Sequence, residues 1–139
     1  MKLLFDSSAI AKRYKREPGR DLVENLLMSA DAVVLAAHCK MEIASSLSRE
    51  VHDKSIDSGQ YGYVMGEVAL DFVDFEIWPI SPKIEVLAIA AMTNSRLRAM
   101  DALHIGTAQA AGVDLFVTAD RRQALAARAA GLKTELVEA

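Results

Sequence analysis

The sequence predicts an α/β fold, a three-layer α/β/α sandwich with a mainly parallel central sheet. Short apolar segments alternate with segments of helical periodicity along the 139 residues. The apolar segments at 32–36 and 115–118 are continuous rather than alternating in polarity. Continuous apolar strands are typical of parallel sheets that helices cover on both faces. The length fits one domain, and we expect it to span residues 1–139.

The first half of the chain predicts two strands among four helices. Ser7 can cap a helix after the first strand, and Pro18 suits the first turn of the next helix. Ile43, Leu47 and Val51 recur every four residues, which indicates one face of a long helix. The expected elements are a strand at 3–5, helices at 7–16 and from 18, a strand at 32–36, and helices at 39–54 and 57–74.

The second half predicts three strands and three helices. Pro82 begins a helix, and Gly112 and Gly131 each follow the end of one. The helix at 100–111 is apolar on nearly every side, so we expect it to be buried. The expected elements are a strand at 77–80, a helix at 82–94, a connector at 96–98, a helix at 100–111, a strand at 115–118, a helix at 120–130 and an edge strand at 133–137.

The composition argues for a cytoplasmic protein outside the membrane. Cys39 is the only cysteine and cannot form an internal disulfide, which fits a reducing compartment. The four residues between Met1 and Asp6 leave no room for a signal peptide. No apolar run reaches the roughly 18 residues of a membrane span. The net charge of −3 provides no overall basic field, so local patches would have to guide an anionic partner.

Four acidic residues stand at the edges of apolar segments, where a carboxylate is costly to bury. Asp6 and Asp120 each follow a predicted strand, and Glu42 and Asp101 lie near the starts of predicted helices. Carboxylates that converge repel one another unless a cation joins them, and oxygen-rich sites suit Mg²⁺ or Mn²⁺. Because ligands bind outside the carboxyl ends of parallel strands, the sequence predicts a metal site there.

Each acid also has a purely structural interpretation. Asp6 or Asp120 can cap the following helix, and Glu42 can be a solvated residue of a first turn. Asp101 is harder to explain in this way, because it and His104 are almost the only strongly polar residues of their helix. The joint placement of the four acids favours a shared site.

Four segments together resemble the acidic signature of the PIN domain family, and more narrowly the VapC-type toxins of bacterial and archaeal toxin–antitoxin pairs. They are 5–9 (FDSSA), the internal Glu42, 100–104 (MDALH) and 116–120 (FVTAD). The resemblance covers essentially the whole chain. It implies a PIN-like fold and an Mg²⁺- or Mn²⁺-dependent endoribonuclease, inhibited by a cognate antitoxin and usually dimeric. The acidic quartet of the family falls on Asp6, Glu42, Asp101 and Asp120.

We expect Asp6, Glu42 and Asp101 to bind the ion directly or through water, and Asp120 to act as an outer or second-metal acid. Neighbouring hydroxyls can hold a ligand carboxylate in place, and the candidates are Thr118 and Ser8. Basic residues at the rim could guide RNA phosphates or receive an acidic antitoxin segment. The main candidates are Arg96, Arg98, Arg121 and Arg122, with a further basic run at 12–16.

Alternative interpretations remain open on sequence alone. A non-catalytic PIN-like module would bind RNA or protein without cutting it. An aspartyl phosphotransfer enzyme would need a second acid near Asp6, where Ser8 stands instead. His104 is more simply a hydrogen-bonded core histidine than a substrate contact, and no histidine or cysteine spacing indicates zinc. The helix at 61–75 either forms a subunit interface or packs internally.

Overall fold

The computed structural model describes residues 1–138. Five strands and seven helices follow one another in this range: β1 (Lys2–Phe5), α1 (Ser7–Lys15), α2 (Arg20–Ser29), β2 (Ala32–Ala36), α3 (Cys39–His52), α4 (Ser58–Phe72), β3 (Glu76–Trp78), α5 (Pro82–Asn94), α6 (Ala99–Ala111), β4 (Leu115–Thr118), α7 (Arg121–Ala129) and β5 (Thr134–Leu136). Within 1–138, no helix has both the length and the apolar character needed to cross a membrane.

The five strands form one sheet in the order β3-β2-β1-β4-β5, and every neighbouring pair is parallel. The predicted fold class is therefore confirmed, with a sheet that is parallel throughout these strands. Strand β1 lies at the centre, where Leu4 pairs with Val34 of β2 and with Phe116 of β4.

Two apolar clusters cover the two faces of the sheet. Leu3 and Phe5 belong to one cluster, with side chains from α1 to α4, while Leu4 and Phe116 belong to the other, with α5 to α7. Successive residues of a strand point to opposite faces, so both faces of β1 are buried and its sequence is continuously apolar. Helix α6 is largely buried, as predicted, and Gly106 allows its close packing against α5.

Some predicted boundaries were wrong. Asp6, not Ser7, caps α1 by accepting a hydrogen bond from the Ala9 amide. Pro18 lies outside α2, because Gly19 has a φ of 94° and the helix begins at Arg20. The third strand occupies Glu76–Trp78 rather than residues 77–80.

Helix α4 forms despite its three glycines, as predicted. Its start is fixed by Asp57 and Gln60, whose side chains cap each other's backbone amides. This reciprocal capping box offsets part of the low helix propensity of glycine.

Candidate metal and nuclease site

The candidate site begins at the carboxyl ends of the adjacent strands β1 and β4. Phe5 pairs with Val117, so Asp6 follows β1 at the level where Thr118 ends β4. The Asp6 amide donates to the Val117 carbonyl at 3.0 Å, which extends the ladder by one bond. The parallel pairing thus brings residues 112 positions apart into direct contact.

Asp6 is a buried carboxylate held by three donors. Its Oδ1 accepts from the Ser8 hydroxyl at 2.6 Å and the Ala9 amide at 3.0 Å, and its Oδ2 accepts from the Thr118 hydroxyl at 2.5 Å. Only 4% of Asp6 is exposed. Burial raises the pKa of this carboxyl, and the His104 charge and the three hydrogen bonds offset only part of that effect.

Glu42 lies in the first turn of α3 and directs one oxygen at two histidines. Its Oε1 lies 2.6 Å from the Ser7 hydroxyl, 2.6 Å from His104 Nε2 and 3.3 Å from His38 Nε2. Burial would raise the pKa of Glu42, but the His104 and Ser7 hydrogen bonds and the histidine charges outweigh it and lower the pKa. In residues 1–138 no hydrogen bond reaches Oε2.

The Asp101 carboxylate is half-buried, and no described residue donates a hydrogen bond or forms an ion pair with it. Burial raises its pKa, His104 and Arg98 lower it, and the neighbouring charges of Asp120 and Glu42 raise it further, with a net increase. The Asp101 carboxyl therefore experiences electrostatic repulsion from two other members of the quartet, Asp120 and Glu42. A partly desolvated anion beside other anions is a natural ligand for a cation.

Asp120 is exposed and caps α7. Its Oδ1 accepts from the backbone amides of Arg122 at 2.8 Å and Gln123 at 3.3 Å. Its own amide donates to the Thr118 hydroxyl at 3.1 Å. Thr118 therefore links Asp6 to the start of α7 through one hydroxyl.

The four carboxylates of the predicted quartet do not form a ready-made coordination shell. Among residues 1–138, no three of its carboxylates have ligand atoms within 4.8 Å of one another. The group that meets this distance is His38, Glu42 and His104. Mg²⁺ usually keeps several of its waters, so contacts mediated by water suit this spacing.

The basic side chains predicted to guide RNA, together with neighbouring cations, fall into two groups. Arg121 pairs with Glu138, and Arg13 pairs with Glu24 and Asp71. In the described part of the chain, other candidate cations have no carboxylate within salt-bridge distance. These are Lys12, Arg49, Arg96, Arg98 and Arg122.

A cleft of about 390 Å³ opens beside Glu42, between α1 and α3. Its polar lining combines hydroxyls with three cations and two carboxylates: Ser7, Ser8, Ser46, Lys12, Lys15, Arg49, Glu17 and Glu42. Lys15 also contacts Ser46 and lies 3.8 Å from Glu50. Its volume lies within the range of ligand-binding clefts.

Sequence reasoning missed His38 and the contact of Ser7 with Glu42. His38 is four residues before Glu42 and directly precedes α3, and its ring centroid lies 4.3 Å from that of His104. The i to i+4 spacing of His38 and Glu42 was visible in the sequence. The approach of His104 was not, because it depends on how α6 packs across the sheet.

Comparisons with known proteins identify the family and the fold. The sequence model of the PIN domain family matches residues 3–129 of this chain. Ribonuclease VapC46 of Mycobacterium tuberculosis is 31% identical over 132 residues, covering 94% of this chain and 93% of that protein. FitAcB from Neisseria gonorrhoeae superposes with a TM-score of 0.75 at 15% identity, over 95% of both chains. A toxin-antitoxin complex from Klebsiella pneumoniae gives 0.65 at 18% identity, over 85% of this chain and 86% of that one.

The chain belongs to the PIN domain family. Within it, the chain is a relative of the VapC-type ribonucleases, as the similarity to VapC46 over nearly the full length of both proteins shows.

Proposed function

We propose that this chain is a divalent-metal-dependent endoribonuclease and the toxin of a type II toxin–antitoxin pair, acting in the cytoplasm. The observation that carries this proposal is the half-buried Asp101 carboxylate. Among residues 1–138 it accepts no hydrogen bond and forms no salt bridge, and the negative charges of Glu42 and Asp120 raise its pKa. Family membership and the relationship to a VapC-type ribonuclease support the same activity.

The acids fit a hard cation such as Mg²⁺ or Mn²⁺. Glu42 Oε2 and the Asp101 carboxylate are without hydrogen-bond partners in the described chain, and Asp6 directly precedes Ser7, whose hydroxyl donates to Glu42 Oε1. These three would hold the ion, directly or through water, and Asp120 would act from the outer side. All-oxygen ligand sets favour these ions over zinc or copper.

When bound, the ion would polarise the scissile phosphate and lower the pKa of a nearby water. The chain itself would position the reactants. The Asp101 carboxylate can orient the attacking water because it is not occupied by an internal donor. The hydroxyls of Thr118 and Ser8 hold the Asp6 side chain in one rotamer, so the carboxylate would need little rearrangement during the reaction. No side-chain nucleophile is required.

RNA would reach the acids along the cleft between α1 and α3. Lys12 and Arg49 lie in its lining and pair with no carboxylate of residues 1–138. Arg98 is close enough to Asp101 to lower the pKa of that carboxyl, so it is a second candidate for a phosphate contact. Replacing Arg49 or Arg98 with Gln should each reduce the salt dependence of RNA binding by about one counterion. An unchanged slope would exclude that side chain from the phosphate path.

Cleavage of a mixed RNA substrate tests the activity directly. The parent should cut with Mg²⁺ or Mn²⁺ and stop cutting in EDTA, and Asp101→Asn should lose about 10²-fold or more. Asp74→Asn is the matched control, because Asp74 is exposed and its side chain makes no hydrogen bond in the described residues. RNA binding without metal-dependent cleavage would instead support the non-catalytic module.

A groove of about 560 Å³ beside the cleft is suited to an antitoxin segment. Leu47, Ile56 and Val64 provide apolar lining, Tyr63 is exposed, and Lys15 lines both cavities. A toxin–antitoxin complex among the similar structures supports a partner of this class. Tyr63→Ala should weaken capture of the cognate antitoxin and leave RNA cleavage unchanged. Equal affinity would place the partner elsewhere.

We also propose a homodimer. Exposed apolar side chains surround a second cavity of about 430 Å³ at the edge strand β3, and they include Met41, Val73 and Ile77. Apolar patches of this kind mark protein contacts. Light scattering should give the mass of two chains, and Val73→Asp should give one. A parent that is monomeric at high concentration would contradict the proposal.

A further inference from the structure

We propose that His104, together with Ser7, is a positioning residue that holds Glu42 by one oxygen and leaves the other free for the ion. This inference rests on the proposed function, because it assigns a role toward the ion of that site. Both partners contact the same carboxylate oxygen of Glu42. Oε1 of Glu42 lies 2.6 Å from Ser7 Oγ and 2.6 Å from His104 Nε2, while Oε2 receives no hydrogen bond from residues 1–138.

The direction of each hydrogen bond follows from the partners. Nε2 of His38 lies 2.8 Å from the Met100 carbonyl, which can only accept, so His38 carries its proton on Nε2. Nε2 of His104 faces a carboxylate at 2.6 Å and therefore also donates. The Nδ1 atoms of both rings are buried and have no partner in the described chain.

The unpartnered Nδ1 atoms of His38 and His104 distinguish two interpretations of the cluster, a hydrogen-bonded clamp on Glu42 and a metal site. His38, Glu42 and His104 offer ligand atoms within 4.8 Å of one another, a ligand set that zinc accepts. A histidine that binds metal through Nε2 carries its proton on Nδ1 and nearly always donates it to a partner. Here that proton would be buried without an acceptor on both rings, and an unsatisfied buried donor is destabilising. The geometry therefore favours a hydrogen-bonded clamp, in which Nε2 of each ring carries a proton and donates it.

Packing keeps the His104 donor in place. His104 is 1% exposed and His38 is 5% exposed, and their rings lie 4.3 Å apart. His104 comes from α6 and Glu42 from α3, so the hydrogen bond joins helices that pack on opposite faces of the sheet. The same α6 carries Asp101 one turn earlier. His104 therefore couples the placement of two acids of the quartet.

Glutamate has three rotatable side-chain bonds, so an unheld Glu42 would lose more freedom on binding an ion. Groups that hold a ligand carboxylate typically contribute 10–100-fold to metal affinity. We expect His104→Leu to weaken Mn²⁺ binding, measured by calorimetry, by roughly 10-fold or more. His104→Gln, whose amide can donate at similar reach, should recover most of it. His52→Leu is the matched control, because His52 is exposed at the end of the same helix as Glu42.

Nitrogen NMR of the metal-free protein provides a second readout that does not depend on cleavage. Both buried rings should carry a proton on Nε2, and the His104 Nε2 proton should be protected and shift in Ser7→Ala. A His104 ring without a proton on Nε2, or Mn²⁺ affinity equal in parent, His104→Leu and His104→Gln, would overturn the proposal. If the parent binds no Mn²⁺ and cuts no RNA, the proposed function fails, whereas the tautomer measurement still tests the clamp.

Discussion

Thr118→Val tests whether the end of β4 supports Asp6. The substitution keeps the shape of the side chain but removes the hydroxyl that donates to Asp6 Oδ2 at 2.5 Å and accepts from the Asp120 amide at 3.1 Å. Thr118 is completely buried, so water cannot replace the lost donor.

The expected cost follows from the two bonds. A hydrogen bond to a charged group contributes about 1.5–3 kcal/mol, and a neutral one about 0.5–1.5 kcal/mol. We expect Thr118→Val to lose roughly 2–4 kcal/mol of unfolding free energy at pH 7. At about 3–4 °C per kcal/mol for a domain of this size, Tm should fall by roughly 6–15 °C.

The pH dependence separates this cause from simple repacking. The pKa of Asp6 is raised in the fold, and losing the Thr118 donor raises it further. The penalty should therefore be largest where Asp6 is ionised and should shrink as pH falls through its folded pKa. Urea unfolding in EDTA at neutral and acid pH measures this change.

Thr118→Ser is the control, because it keeps the hydroxyl and loses only a methyl group. Its cost should be near 1 kcal/mol and independent of pH. The effects of Thr118→Val and Asp6→Asn should be non-additive by about 1 kcal/mol or more. Equal, pH-independent losses in Thr118→Val and Thr118→Ser, with additive effects in the double variant, would refute the reasoning.

Three further perturbations have defined outcomes. The fold raises the pKa of Asp101, so its contribution to stability is fully present below the unfolded-state pKa of 3.8 and is lost as pH rises through the folded-state pKa. At pH 7 the ionised carboxylate therefore destabilises the metal-free protein, and Asp101→Asn should melt at a higher temperature than the parent. The parent should gain about 2.7 kcal/mol at 100 times the Kd for Mn²⁺, and the variant much less. Gly106→Ala would place a Cβ 2.8 Å from the Ile84 carbonyl oxygen, so urea unfolding should show a loss of about 1–3 kcal/mol. Tyr14→Phe removes a hydrogen bond of 2.8 Å to Asp71 and should cost about 1.5–3 kcal/mol by the same assay. Unchanged stability in any of these variants would contradict the physical reason given for that variant.

The layout of the fold could be predicted because it depends on local signals. Continuous apolar strands such as Ala32–Ala36 require cover on both faces, and Gly112 and Gly131 occupy the left-handed conformation after a helix. Boundaries were less accurate where two residues compete for one role. Asp6 and Ser7 can both cap α1, and the burial of Asp6 beside Thr118 decides for Asp6.

The candidate site was predictable only in part. The alternation of strands and helices placed Asp6 and Asp120 near the same sheet edge, because the carboxyl ends of parallel strands share it. The partners of Glu42 were not predictable, since the approach of His104 depends on side-chain packing between layers. The pairing of Arg121 with Glu138 was also hidden, because it joins α7 to residues beyond the last strand.

Anomalous diffraction from crystals grown with Mn²⁺ tests the central claim most directly. The account predicts a peak bounded by Asp6, Glu42 Oε2 and Asp101, with Asp120 on its outer side and the peak lost in Asp101→Asn. A peak held by His38 and His104, or no peak among these carboxylates at saturating Mn²⁺, would contradict it.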